Sequence, residues 1–143
     1  MPTTTRAVTI RLLGRADASR LAMLSARVGT ETLADWTERL ARSDSLVVGA
    51  EIDGRLVGYA AGDVRRSFGR PSPTGLIDAF AVDLERRGHG LGRDLAAALM
   101  DRLRGRGADR VITLVPLHDR ELDPFFRDLG FRDEPVICLG RAL

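Results

Sequence analysis

After Val82 the sequence runs Asp83-Leu84-Glu85-Arg86-Arg87-Gly88-His89-Gly90-Leu91-Gly92-Arg93, with glycine at three alternate positions. Glycine lets a backbone bend until several N–H groups converge on one point, and a helix that starts there adds partial positive charge. Such a point is a seat for phosphate. Arg87 and Arg93 flank the bend and can add guanidinium contacts to the same anion. Spacing excludes two common phosphate loops. A dinucleotide fingerprint needs glycine where Arg93 stands, and no Gly-Lys-Ser/Thr occurs. What remains is Arg87-x-x-Gly90-x-Gly92.

A second set of residues can handle protons. Asp78 lies among apolar and small residues, two positions before Phe80, where an acid needs a reason to be. It reads either as a base or acceptor contact, or as an acceptor of hydrogen bonds from a neighbouring loop. His118 and Asp119 follow a short apolar run and read as surface residues. His89 reads as solvent-facing rather than catalytic. Further on comes Phe125-Phe126-Arg127-Asp128-Leu129-Gly130-Phe131.

These residues need elements to place them. Alternation of Val8, Ile10 and Leu12 predicts a strand over 7–13. Leu21, Leu24 and Val28 predict a helix opened by Asp17 and closed by Gly29, and Leu33, Trp36 and Leu40 predict a second over 31–41. Runs 45–52 and 56–61, joined by Asp53-Gly54, read as a hairpin. The stretch 65–75, with two Pro and an Arg-Arg pair, reads as an exposed, mobile loop. A strand over 76–82 then leads into a helix over 90–106 with Leu91, Leu95, Leu99 and Leu103 on one face. A strand over 111–115 ends at Pro116, which either marks pairing that stops early or simply closes the strand. A short helix over 123–129 and a final strand over 136–143 complete the order.

At 143 residues the chain fits one domain, 1–143, able to bury roughly 68–70% of its unfolded surface. All 22 basic residues are arginine, so Schiff-base chemistry and a Walker lysine are excluded. The formal net charge is only +2 and acidic residues are spread among the arginines, so no nucleic-acid partner is expected. No apolar run approaches the roughly 20 residues that span a membrane, and no membrane partner is expected. The one cysteine, Cys138, cannot form an internal disulfide and sits in an apolar stretch as a core residue would. That points to a reducing, cytoplasmic setting. No metal site is expected.

Two motifs in order, with a strand between them and Ala79-Phe80-Ala81-Val82 ahead, resemble the GCN5-related N-acetyltransferase superfamily, and the likeness runs from Ile10 to Phe131. The resemblance implies an α/β domain: a mixed, mostly antiparallel sheet flanked by about four helices, with strands four and five splayed. It implies acetyl-CoA as cofactor. The backbone of Arg87, Gly88, His89, Gly90, Leu91 and Gly92 would cradle its pyrophosphate, with Arg93 in support. Phe80, Ala81 and Val82 would pair with the pantetheine arm, and Phe125 would border it. The implied reaction is direct acetyl transfer in a ternary complex to a primary amine of a small molecule or protein, with Asp78 as base. The first two helices would border the acceptor. The family's usual tyrosine, which protonates the departing thiolate, is replaced by Phe126. Water or Tyr59, the only tyrosine, would have to substitute, and this departure keeps a non-catalytic acyl-CoA sensor open as an alternative. The family also forms dimers, for which 136–143 would offer an edge strand.

Overall fold

The computed structural model describes residues 7–66 and 70–143. Residues 1–6 and the middle of the 65–75 loop lie outside them. Among the described residues, β-forming runs bounded by turn residues make β1 (Thr9–Leu12), β2 (Leu46–Ile52), β3 (Arg55–Arg65), β4 (Thr74–Val82) and β5 (Arg110–Thr113). The helices are α1 (Ala18–Val28), α2 (Leu33–Ala41), α3 (Leu91–Gly105) and α4 (Leu122–Asp128). Asp53 and Gly54, with φ of 51° and 77°, make the left-handed two-residue turn that sets the β2–β3 hairpin. The 56–61 run extends to Arg65, well into the expected loop.

Strands lie in chain order across one sheet, antiparallel except for β4 and β5. Parallel neighbours require a crossover, and α3 supplies it. Leu91, Leu95, Leu99 and Leu103 of α3 bury against Val48, Ile52, Ile77 and Val82 on one face. Leu21 and Leu24 of α1 and Trp36 of α2 bury against Val47, Leu56, Tyr59 and Ala81 on the other. Both faces are covered, so the central strands are near-continuously apolar.

Two irregularities in β4 shape everything around it. Opposite β3, Ala79 pairs with Ala61 and Ile77 with Gly62, which leaves Asp78 without a partner in a β-bulge. A side chain at Gly62 would put its Cβ 2.0 Å from the Leu76 carbonyl oxygen, so the close approach at the bulge requires glycine. The extra residue reverses the alternation: Ile77 faces α3, whereas Ala79 faces α1 and α2. On its other side β4 pairs with β5 only from Thr74 to Ile77. There the Thr113 hydroxyl donates to the Ile77 carbonyl at 2.8 Å and closes the ladder. The strands then part, as the splayed sheet predicts.

The strand expected over 136–143 does not form; these residues pair with nothing in the sheet and are exposed. A β-forming composition is insufficient by itself, because a strand also needs a neighbour. Pro135 sits in a tight turn, with Val136 N–H donating to the Glu134 carbonyl at 2.8 Å, at the root of the segment. Cys138 is accordingly exposed rather than a core residue.

The start of the chain is fastened by one buried carboxylate. Asp17, just before α1, takes the Arg11 guanidinium of β1 bidentately at 2.7 and 3.1 Å, Arg20 of α1 at 2.5 Å, and the Gly14 N–H at 2.8 Å. Arg11, opposed by burial, holds the carboxyl down at about 2. Since the folded value lies below the unfolded one, this stabilisation is complete above about pH 4 and drains away as the pH falls toward 2. Denaturant midpoints measured across that window should fall by an amount equivalent to about 2 kcal/mol. Asp17→Asn should be less stable at neutral pH and show a flatter profile there.

Candidate active site

Where β4 and β5 separate, a cleft of about 610 Å³ opens between β4, the loop before α3, the C-terminal end of α1 and α4. One wall is the edge of Phe80, Ala81 and Val82, which pair with β3 on one side and with no strand on the side toward β5. The mouth is the glycine loop. Gly88 and Gly90 both take left-handed φ, 82° and 81°, and Gly90 caps α3. Asp94 N–H is the first to bond back, to the Gly90 carbonyl, so the amides of Leu91, Gly92 and Arg93 are left for a ligand. Arg86, Arg87 and Arg93 line the same mouth. Arg87 spans the gap: its Nε donates to the Val82 carbonyl at 3.2 Å and its Nη1 meets Glu121, just before α4, at 2.7 Å.

The floor is apolar. Phe125 of α4 lies 4.9 Å from Phe80 between ring centroids. A Cβ at Gly92 would come within 3.0 Å of Phe125 and 3.3 Å of Phe80, so glycine keeps the floor open. Asp119 accepts the N–H groups of Glu121 and Leu122 at 2.9 and 2.8 Å, which start α4 and hold the carboxyl below its usual range.

A polar network lies beside the cleft on the α1–α2 side. Arg27, near the end of α1, meets Asp83, just past β4, at 2.6 Å. That contact sets Val28 in the cleft wall and the loop between α1 and α2 beside it. Within the network Trp36 Nε1 donates to the Ser25 hydroxyl at 2.8 Å, Ser25 to the Tyr59 hydroxyl at 3.4 Å, and Tyr59 to Glu31 Oε2 at 3.0 Å. The Thr30 N–H donates to the same oxygen at 3.2 Å. Burial pushes the Tyr59 phenol up to about 12, so it stays protonated and acts as a donor to Glu31. A side chain at Gly29 would collide with both, at 2.3 Å from the phenol and 2.8 Å from the carboxylate. Tyr59 and the Thr30 N–H donate to one Glu31 oxygen, with Ser25 and Trp36 aligned behind the phenol, and among the described residues no side-chain cation meets the other oxygen.

The sequence-derived residues sort clearly. Phe80, Ala81, Val82, Arg87, Gly88, Gly90, Gly92, Arg93 and Phe125 meet at the cleft. The side chains of His89 and Leu91 do not: His89 stands between two left-handed glycines and faces solvent, and Leu91 begins α3 with its side chain in the core. Phe126 is buried against Phe80, Phe125 and Phe131, and the ring that borders the cleft is Phe125. Tyr59 and Phe126 belong to cores on opposite faces of the sheet. Asp78, on the bulge, is ion-paired with Arg39 of α2. Sequence reasoning missed Glu31, Arg27 and the Val28, Leu122, Asp128 and Leu129 walls, whose partners lie far away in the chain. A half-polar loop between two amphipathic helices was the one available signal for Glu31.

The profile of the acetyltransferase (GNAT) family matches residues 16–131. N-alpha-acetyltransferase RimI of Mycobacterium tuberculosis is 39% identical over 110 residues, which cover 73% of this chain and 68% of that one. A mycothiol acetyltransferase of Thermobispora bispora is 37% identical over 83 residues, and this chain spans only 28% of its length. Aminoglycoside N-acetyltransferase AAC(6')-Iy, in complex with CoA, superposes with a TM-score of 0.87 at 16% identity over 99% of each chain. A ribosomal-protein-alanine N-acetyltransferase from Brucella melitensis biovar Abortus gives 0.81 at 22% identity, over 95% of this chain and 100% of that one. The matched span takes in the glycine loop, the fork and the aromatic helix together, and the chain belongs to the acetyltransferase (GNAT) family of acetyl-CoA-dependent acyltransferases.

Proposed function

We propose that this acetyltransferase moves the acetyl group of acetyl-CoA to the α-amino group of a polypeptide, by direct transfer within a ternary complex. The observation that carries the reading is the cleft itself: an anion seat at the mouth of α3 continues into an apolar passage along an unpaired strand edge. Acetyl-CoA fits it. The amides from Arg87 to Gly92 and the guanidinium groups of Arg87 and Arg93 would hold the diphosphate, while Phe80, Ala81, Val82 and Phe125 would take the pantetheine arm. When bound, acetyl-CoA supplies an acyl thioester, whose oxygen a β4 backbone N–H can polarise. The α-amino acceptor rests on the RimI relative, whose name states that acceptor; the aminoglycoside enzymes are alike in fold alone.

The amine must reach the thioester with a proton removed. Two carboxylates beside the cleft, outside its lining, are candidates. Asp78 has its charge matched by Arg39, whereas Glu31 is held by neutral donors and keeps an oxygen for an ammonium group. We therefore assign proton removal to Glu31 and let the Asp78–Arg39 pair fix the bulge and α2. The buried Phe126 gives the departing thiolate no proton, and a thiol with ordinary pKa near 8.5 leaves adequately without one. A homodimer in a reducing, cytoplasmic setting completes the reading, supported by the exposed apolar side chains of 136–143 and the single thiol.

Free-thiol release from acetyl-CoA, followed with a panel of short peptides and aminoglycosides, tests the assignment: peptides with free α-amino groups should drive release. Acetyl-CoA binding with no turnover on any amine would instead establish the sensor, a reading that draws on the lack of a phenol at the cleft. Gly92→Val, which fills the floor, should weaken acetyl-CoA binding at least about tenfold by calorimetry. Glu31→Gln should cut kcat about a hundredfold with acetyl-CoA affinity intact, and Asp78→Asn less than about tenfold. Phe126→Tyr, which buries a hydroxyl among aromatic rings, should cost about 1–3 kcal/mol in a denaturation experiment and leave turnover no higher.

A further inference from the structure

Of the arginines at the mouth of the cleft, one already has an anion. Among the described residues Arg86 and Arg93 form no ion pair, whereas Arg87 meets Glu121 at 2.7 Å. Glu121 lines the same cleft, so a carboxylate stands at a seat whose amides and guanidinium groups favour a negative ligand. Its backbone is fixed there, because the Asp119 carboxylate accepts the N–H groups of Glu121 and Leu122 at 2.9 and 2.8 Å.

The other contact of Arg87 falls on the strand edge. Asp83 N–H donates to the Val57 carbonyl of β3 at 2.8 Å, so the Val82 carbonyl of the same peptide points the opposite way, to the open side of β4. Arg87 Nε donates to that carbonyl at 3.2 Å. One side chain thus ties the end of β4 to the start of α4 through two groups that line the way in. A guanidinium grips a phosphate through two adjacent nitrogens. In Arg87 each such pair includes Nε or Nη1, and both are engaged. The hold on Glu121 is a weak one, since the two side chains are 38 and 74% exposed and water competes for both. A diphosphate brings more charge and more acceptor oxygens than one carboxylate.

We propose that Glu121 is a built-in counter-anion of the coenzyme site: it holds Arg87 across the mouth, and an entering diphosphate takes Arg87 from it, which also releases the Val82 carbonyl to the pantetheine arm. The inference rests on the reading that Arg87 meets the diphosphate. Seating the anion and opening the strand edge are then one event, because a single side chain serves both. Apparent affinity for the coenzyme is lowered by the fraction of time that Arg87 spends on Glu121, as for any site whose competent state is partly populated.

Calorimetry with acetyl-CoA, run as a double-mutant cycle at physiological ionic strength, where exposed charges more than about 8 Å apart are screened, tests the exchange. Glu121→Gln should tighten binding about three- to fivefold, and Arg87→Gln should weaken it about tenfold. Once Arg87→Gln is in place, adding Glu121→Gln should change affinity by less than about 1.5-fold. Acetyl-dephospho-CoA, which keeps only the diphosphate, should show the same pattern. A gain that persists without Arg87 would overturn the proposal by making Glu121 a simple repulsive charge. Unchanged or weaker binding in Glu121→Gln would overturn it by making the carboxylate a support that presents Arg87 to the ligand. A pattern lost with acetyl-dephospho-CoA would overturn it by moving Arg87 to the ribose phosphate. Full affinity in Arg87→Gln would instead remove the reading on which the exchange rests.

Discussion

Backbone polar groups that a strand does not pair with a neighbour must be satisfied by something else, and β4 beyond Ile77 concentrates that demand at one place. The Thr113 hydroxyl ends the β4–β5 ladder by taking the last carbonyl, and after it one edge of Asp78 to Val82 is open. Elsewhere the same sheet is covered on both faces and paired along its central strands, so the opening cannot close by a small shift. Arg87 partly answers it from the side, by bonding the Val82 carbonyl. A ligand arm with its own amide groups can answer the rest, which is why an extended thioester belongs there.

The bulge at Asp78 and the fork are linked. An additional residue in β4 raises local twist and turns the strand's far half away from β5. It also changes which face each later side chain meets, bringing Phe80 to the α3–α4 side and Ala81 to the α1–α2 side. The small Ala81 lies across the β3–β4 pair from Tyr59, and the phenol can therefore reach past it to Glu31. One inserted residue thus sets both the apolar floor at Phe80 and the space through which Tyr59 meets Glu31.

Much of the fold could be read from the chain because its signals are local. Asp53-Gly54 dictates its hairpin, the four-residue leucine spacing dictates α3, and glycines at 88 and 90 dictate the loop. The cofactor side of the site was legible for the same reason, since it is mostly backbone geometry set by neighbouring residues. The Tyr59–Glu31 and Arg27–Asp83 contacts join residues 28 and 56 positions apart, and no local pattern encodes them. The error at 136–143 has another cause. Propensity reports what a segment prefers when paired, and 136–143 pairs with no strand of the described sheet.

That division between backbone and side chain has a consequence for how such proteins diverge. A structure only 16% identical superposes with a TM-score of 0.87, so most side chains have been exchanged while the path of the chain has been kept. An anion seat built from amides, a left-handed glycine pair and a strand fork can tolerate such exchange, because it asks few positions for a particular side chain. The Glu31 network has no such tolerance. Its carboxylate depends on Gly29 leaving space, on Tyr59 reaching it and on Trp36 and Ser25 aligning the donors behind it. Changing any one moves or unpairs the Glu31 carboxylate. The loop between α1 and α2 is therefore sensitive to single side chains, while the glycine loop before α3 is built from backbone.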